Sequence, residues 1–121
     1  MRDMAEAEIE KWAENLKIVG HPVRLLTLLA LYASEMFKRE NHSLTNGEIK
    51  EFLGEANESA LEYHLKILED AKFIRKDAHK DKKTGSVYPL YHIEAAGKSF
   101  LDQTGLIAVF KEKIERLAAA A

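Results

Sequence analysis

Apolar residues recur at helical spacing near the start of the chain: Ile9, Trp12, Ala13, Leu16 and Val19 lie three or four positions apart. Asp3 and Glu6 precede them with capping-box spacing, Asp standing where Ser or Thr is usual. Gly20, His21 and Pro22 interrupt this helix. Proline suits the first position of a helix, so a second one is predicted from near Pro22 to about Lys38. Leu25, Leu26, Leu28, Leu29, Leu31 and Tyr32 make it apolar nearly all round, the mark of a central, buried helix. Lys38 to Ser43 is polar and reads as a loop. Thr45 and Glu48 then form a second capping box, Ile49, Phe52 and Leu53 supply an apolar face, and Gly54 ends the short helix. Asn57 is the next cap, opening a fourth helix from about Glu58 to Ala71. Two short helices joined by a tight turn make a helix-turn-helix candidate.

After Lys72 the period shortens. Phe73 to Ala78 and Ser86 to Ile93 read as two strands, joined by a charged loop from His79 to Gly85. Pro89 lacks a ladder donor and predicts an edge strand. Glu94 to Leu101 reads as helix, Thr104 and Gly105 break it, and Leu106, Phe110, Ile114 and Leu117 stripe a last helix. The fold class is mainly α with a small antiparallel β-hairpin. All 121 residues form one domain: a helix-turn-helix at about 45–71, a hairpin at about 73–93, and terminal helices at about 4–19 and 106–120.

Composition narrows the chemistry. The absence of cysteine excludes a disulfide framework, a thiolate metal site and a cysteine nucleophile. The five histidines lie at 21, 42, 64, 79 and 92 without ligand spacing, so no metal or other cofactor is expected. There is no Gly-rich phosphate loop, nucleophile elbow or convincing acid–base pair, and the chain does not read as an enzyme. No stretch approaches the ~18 apolar residues of a membrane span, and the N-terminus lacks the apolar core of a signal peptide. The expectation is a cytoplasmic protein without a membrane partner. Abundant Lys and Glu, with a single Gln, point to a thermophilic source.

Two features suggest a nucleic-acid partner. On the fourth helix, Leu61, Leu65 and Leu68 share one side with His64 near them, while Ser59, Glu62, Tyr63 and Lys66 share the other. A helix that reads the major groove needs this division, although an ordinary amphipathic helix has it too. The hairpin adds charge. Arg75, Lys76, Lys80, Lys82 and Lys83 against Asp77 and Asp81 give +3, whereas the whole chain is -2 and the remainder therefore -5. A basic hairpin on an acidic protein suits a phosphate backbone, and a solvated lysine-rich hairpin would look similar.

The segment Leu16 to Leu26, with His21-Pro22-Val23-Arg24 inside it, resembles the opening of ArsR-like winged-helix regulators. Asn57 to Ala71, with His64-Leu65-Lys66-Ile67-Leu68, is similar to their recognition helix, and Tyr91 to Gly97 to the end of their wing. The resemblance spans roughly residues 14 to 101. It implies a winged helix-turn-helix regulator, with a repressor expected, binding a pseudo-palindromic operator in double-stranded DNA as a homodimer. It places Ser59, Glu62, Tyr63 and Lys66 at base- and phosphate-contacting positions, and Thr45 and Asn46 where a phosphate is gripped. Asn57 at the cap and Arg75, Lys80, Lys82 and Lys83 on the wing complete the candidate DNA contacts. The terminal helices are expected to dimerise through Ile9, Trp12, Leu16, Phe110, Ile114 and Leu117.

The chain departs from that pattern at Glu62, often Ser in the family, where a carboxylate needs a cytosine amine to accept from. It departs again at Lys72, which replaces a glycine and predicts a strained left-handed turn. Nothing in the chain specifies a small-molecule effector. A winged-helix protein-interaction module is the alternative, supported by Glu58, Glu62, Glu69 and Asp70 on or beside the reading helix.

Overall fold

The computed structural model describes residues 4–36, 44–54 and 58–119, with the backbone alone for Met4, Glu58 and Ser59. The proposed cap Asp3, the loop from Lys38 to Ser43 and Asn57 lie outside the described residues. Helix α1 (Met4–Val19) is followed by α2 (Pro22–Met36), α3 (Asn46–Leu53) and α4 (Glu58–Asp70). Strands β1 (Ile74–Lys80) and β2 (Val87–Ile93) come next, then α5 (Ala95–Gln103), α6 (Leu106–Val109) and α7 (Lys111–Ala119). No single described helix is long and apolar enough to cross a membrane.

Helix α2 is the axis of the fold. Leu28, Leu29, Ala30, Leu31 and Ala33 are buried, and α1, α3, α4, β2 and α7 all pack against it. The chain bends by 93° between α1 and α2. His21 makes that corner: its ring Nδ1 accepts from the Val23 N–H at 3.1 Å, and its carbonyl accepts from the Leu25 N–H at 2.9 Å. An imidazole thus satisfies a first-turn donor that a Ser or Asp side chain usually takes.

The capping box at α3 is complete. Thr45 Oγ1 accepts from the Glu48 N–H, and Glu48 Oε1 accepts from the Thr45 N–H, both at 3.1 Å. Helix α4 ends with Lys72 at φ 66°, the predicted left-handed residue. The Phe73 N–H reaches back to the Leu68 carbonyl and the Lys72 N–H to that of Glu69, each at 3.0 Å, satisfying carbonyls of the last turn.

The two strands pair antiparallel from Ile74↔Ile93 to Lys80↔Val87. Strand β1 runs further than the sequence suggests, taking in His79 and Lys80, and β2 begins one residue later, at Val87, so the loop runs from Asp81 to Ser86. Asp81 and Gly85 close it. The Asp81 carboxylate accepts the Lys83 and Thr84 N–H groups at 2.7 and 3.1 Å, and Gly85 takes φ 74°, which costs glycine little.

Strand β2 is not wholly an edge. Leu44 bridges its outer side, exchanging bonds with Tyr91 at 2.8 and 3.1 Å. Pro89 lies two residues from Tyr91, so its nitrogen faces the same outer side. It therefore removes no bond to β1, and the edge reading holds at Pro89 but fails at Tyr91.

Gly97 is required by close approach. A Cβ there would lie 2.5 Å from the Phe73 carbonyl oxygen and 3.0 Å from Ile93 Cγ1. Phe100, on the same helix, stacks with Phe73 and Trp12 at centroid distances of 5.7 and 5.8 Å. A 2.6 Å ion pair from Lys98 to Glu35 ties α5 to the end of α2.

The last helix is two pieces. Gly105, at φ 75°, starts α6, and the chain breaks again at Phe110 before α7. Ile114 and Leu117 are only 4% and 5% exposed within their own chain. These two side chains are therefore not an outward dimer surface, because α7 packs back onto α2 and buries them there.

Candidate nucleic-acid interface

Helix α4 divides as its sequence predicts. Leu61, Leu65 and Leu68 are buried with His64, while Glu62, Tyr63 and Lys66 stand in solvent. Tyr63 is the most prominent, an aromatic side chain 64% exposed. No described element covers this face, so the helix offers a carboxylate, a phenol and an ammonium along one side. Ser59 lies in the first turn of the same helix, with its side chain outside the described set.

The charge on that face is partly spent. Lys66 pairs with Asp70 at 3.4 Å across one turn, and both are exposed. Such a pair contributes only about 0.3–0.5 kcal/mol, so a phosphate can displace Asp70 at little cost. Glu62 can accept a hydrogen bond but cannot donate one at neutral pH.

The start of α3 is less open than a phosphate grip requires. The capping box places the Glu48 carboxylate at the positive end of the helix, where an anion would otherwise sit. The Thr45 hydroxyl accepts from Glu48 and keeps its own proton for an outside acceptor. The Asn46 amide oxygen is buried and unpartnered among the described residues, so this side chain is turned partly inward.

The wing carries the positive charge, but not at Arg75. Its guanidinium lies 3.0 Å from Asp77 and 3.7 Å from Glu94, and His92 Nε2 approaches the same Asp77 oxygen at 3.3 Å. The hydrogen bond to Asp77 raises the Arg75 pKa further. Arg75 therefore spends its charge on acids at the base of the hairpin, through surface pairs that a phosphate would have to displace. Lys80, Lys82 and Lys83 are exposed and make no ion pair among the described residues. The backbone N–H groups of Thr84 and Lys83 hold the Asp81 carboxylate below the usual range.

The expected dimer residues separate into two groups. Ile9 and Leu16 on α1 are 66% and 54% exposed, and Trp12 between them is half-buried against Phe100. With Ala5 and Ala13 they form one outward apolar stripe. Phe110 is half-buried on the core, and Ile114 and Leu117 are fully enclosed.

One cluster was not legible in the sequence. The rings of His21 and His64 stack at 4.2 Å, and Arg24 Nη1 donates to His64 Nδ1 at 3.0 Å. The Arg24 Nε also donates to the carbonyl of Ile18. Forty positions separate Arg24 from His64, and only the near-right-angle corner after α1 brings them together. His64 beside the apolar side of α4 was the sole signal. Elsewhere, no three described His, Asp or Glu side chains converge as metal ligands.

The architecture is that of a winged helix: a helix-turn-helix followed by a β-hairpin, with helices added at both ends. Solved structures of that kind superpose on it. One is described as a transcriptional regulator of the MarR family from Enterococcus faecalis V583; it has a TM-score of 0.66 and 14% identity, over 100% of this chain and 96% of that one. A protein with a GntR superfamily winged-helix-turn-helix domain from Halomicrobium mukohataei gives 0.72 and 17%, over 99% and 77%. The transcriptional repressor BigR from Xylella fastidiosa gives 0.56 and 22%, over 88% and 97%. At these identities the likeness shows the fold. No family model matches the chain, and no curated protein matches it.

Proposed function

We propose that the chain is a sequence-specific regulator of transcription that binds double-stranded DNA as a homodimer on a twofold operator, most simply as a repressor. The observation that carries this reading is the uncovered outward face of α4, followed in the chain by a hairpin with three exposed lysines, Lys80, Lys82 and Lys83, at its tip. A helix of this width fits the major groove, and a basic wing tip can rest on the neighbouring backbone. The transcriptional regulators among the structural neighbours support it.

Each side chain then has a task. Tyr63 supplies a hydroxyl and an apolar ring edge for bases, and Glu62 accepts from a cytosine amine. Lys66 leaves Asp70 for a phosphate or a guanine. Lys80, Lys82 and Lys83 neutralise phosphates without reading sequence. Ser59, Asn57, Thr45 and Asn46 belong to the same proposed surface. The stripe of Ile9, Trp12 and Leu16 on α1 meets its copy across the twofold axis, and the pairing brings two reading helices to one duplex.

Selection of bound sequences from a random duplex library with purified protein tests this directly. A twofold motif is the expected result. No enrichment at low salt would remove the proposal and favour a winged-helix interaction module. One observation supports that second reading: Glu62 and the Lys66–Asp70 pair leave the outward face of α4 without net positive charge.

A further inference from the structure

We propose that His21, Arg24 and His64 form a proton-operated latch that holds helix α4 in its reading position and releases it as the pH falls. That the latch governs DNA binding rests on the preceding reading; the latch itself rests on geometry alone.

The hydrogen bonds assign the protonation states. Arg24 Nη1 has only protons to give, so His64 Nδ1, 3.0 Å away, must be the acceptor. The Val23 N–H likewise makes His21 Nδ1 an acceptor, at 3.1 Å. Both rings are therefore neutral, with their proton on Nε2. An imidazolium carries a proton on each nitrogen. Charging His64 would point an N–H at the Arg24 guanidinium, and charging His21 would expel the Val23 N–H and uncap α2. The rings lie 4.2 Å apart, so any charge on one opposes a charge on the other.

Of the groups facing His64, His21 and Arg24 both oppose a proton on it. From the turn before α2 comes His21, from α2 comes Arg24, and on α4 itself the Tyr63 ring meets His64 edge-on at 5.4 Å. Burial, then His21, then Arg24 push the His64 pKa below its ordinary 6.5, and no carboxylate is among these causes. The His64 ring therefore favours its neutral form and takes up its proton only below the ordinary histidine range.

The mechanical consequence follows from what Arg24 holds. It bonds both the Ile18 carbonyl, in the last turn of α1, and His64 on α4. This one side chain thus ties the α1–α2 corner to the middle of the outward helix. The protonated latch loses the α4 end of that tie. Tyr63, 64% exposed with its ring edge-on to His64, is the exposed side chain that responds first.

The test is an NMR titration of the full chain from pH 7.5 to 5, following the imidazole carbons and the α4 amides. Wild type is expected to show His64 titrating below 6.5, with the amides of Leu61, Tyr63 and Leu65 moving on the same curve. His64→Asn keeps an acceptor near the Nδ1 position and cannot be charged, so its α4 amides should stay still over that range. Affinity for duplex DNA should fall by up to about tenfold per pH unit per subunit in wild type and stay level in His64→Asn. Amides of α4 that ignore the His64 titration, or move equally in His64→Asn, overturn the latch. Amides that track His64 while no duplex is bound at any pH uphold the latch and remove the proposed function instead.

Discussion

Replacing Lys82 and Lys83 together by alanine isolates the contribution of the wing. Both side chains are exposed at the tip, make no ion pair among the described residues and lie beyond the core. The loop itself is held by Asp81 through the backbone N–H groups of Lys83 and Thr84, which alanine retains. The fold should therefore survive, and any loss of binding reflects charge. Two lysines per subunit make four per dimer. If each neutralises one phosphate, the log–log salt slope becomes shallower by about 3.6, at 0.9 for each phosphate. Between 50 and 200 mM salt, wild type would then lose about 150-fold more affinity than the variant.

Fluorescence anisotropy on a labelled duplex, at several salt concentrations, measures both slopes. Random and selected duplexes should be affected alike, because phosphate contacts carry no base information. An unchanged slope would refute the wing as a phosphate ligand, whatever the absolute affinity. A changed slope confined to one sequence would refute the division of labour between hairpin and α4.

Three further variants probe the scaffold and the assembly. Gly97→Ala should destabilise the protein by about 2–3 kcal/mol in urea unfolding, because the new Cβ meets the Phe73 carbonyl at 2.5 Å and backbone cannot yield cheaply. Lys72→Gly should stabilise it by about 0.5 kcal/mol in the same assay, since relief of the left-handed strain exceeds the extra freedom of the unfolded chain. Ile9→Glu with Leu16→Glu should leave the fold intact and shift sedimentation from dimer to monomer; a monomeric wild type would instead refute the α1 interface.

The features legible in the sequence were those set by neighbours along the chain. The Thr45–Glu48 box, the left-handed Lys72 and the two faces of α4 each depend on residues within a turn or two. The antiparallel hairpin also declared itself, through a change of period and a charged turn ending in Gly85. Its limits were less clear, because Asp81 closes the loop with bonds that no periodicity encodes. Two features needed partners distant in sequence. Leu44 contributes a single bridge from a residue with no strand pattern around it. The Arg24–His64 contact joins residues whose nearness depends on the angle at His21. Among the candidate DNA contacts, the pairing of Arg75 was also hidden, for a related reason. Its charge counted as free in the sequence, while the strand geometry aligns it with Asp77 and Glu94.

The terminal helices show how a local pattern can be read correctly and still be assigned the wrong partner. Leu106, Phe110, Ile114 and Leu117 form a genuine stripe, and such a stripe requires cover without specifying what supplies it. The decisive constraint was in α2, whose leucines face nearly every direction. A helix of that kind cannot be left against water on any side, and α1, α3, α4 and β2 do not enclose it without a further element. Helix α7 closes the gap, burying Ile114 and Leu117 against α2. That use of α7 changes the case for dimerisation. Exposed apolar side chains remain on several elements, Met36, Val87 and Val109 among them, and α1 carries two of them, Ile9 and Leu16, on one side of a single helix, with Trp12 anchored at its base by Phe100. A narrow stripe on one helix is well matched to a copy of itself across a twofold axis, where each residue meets its equivalent or a near neighbour. A proposed dimer built on α1 therefore needs no contribution from the C-terminal helix, and it leaves α4 and the hairpin uncovered for a partner.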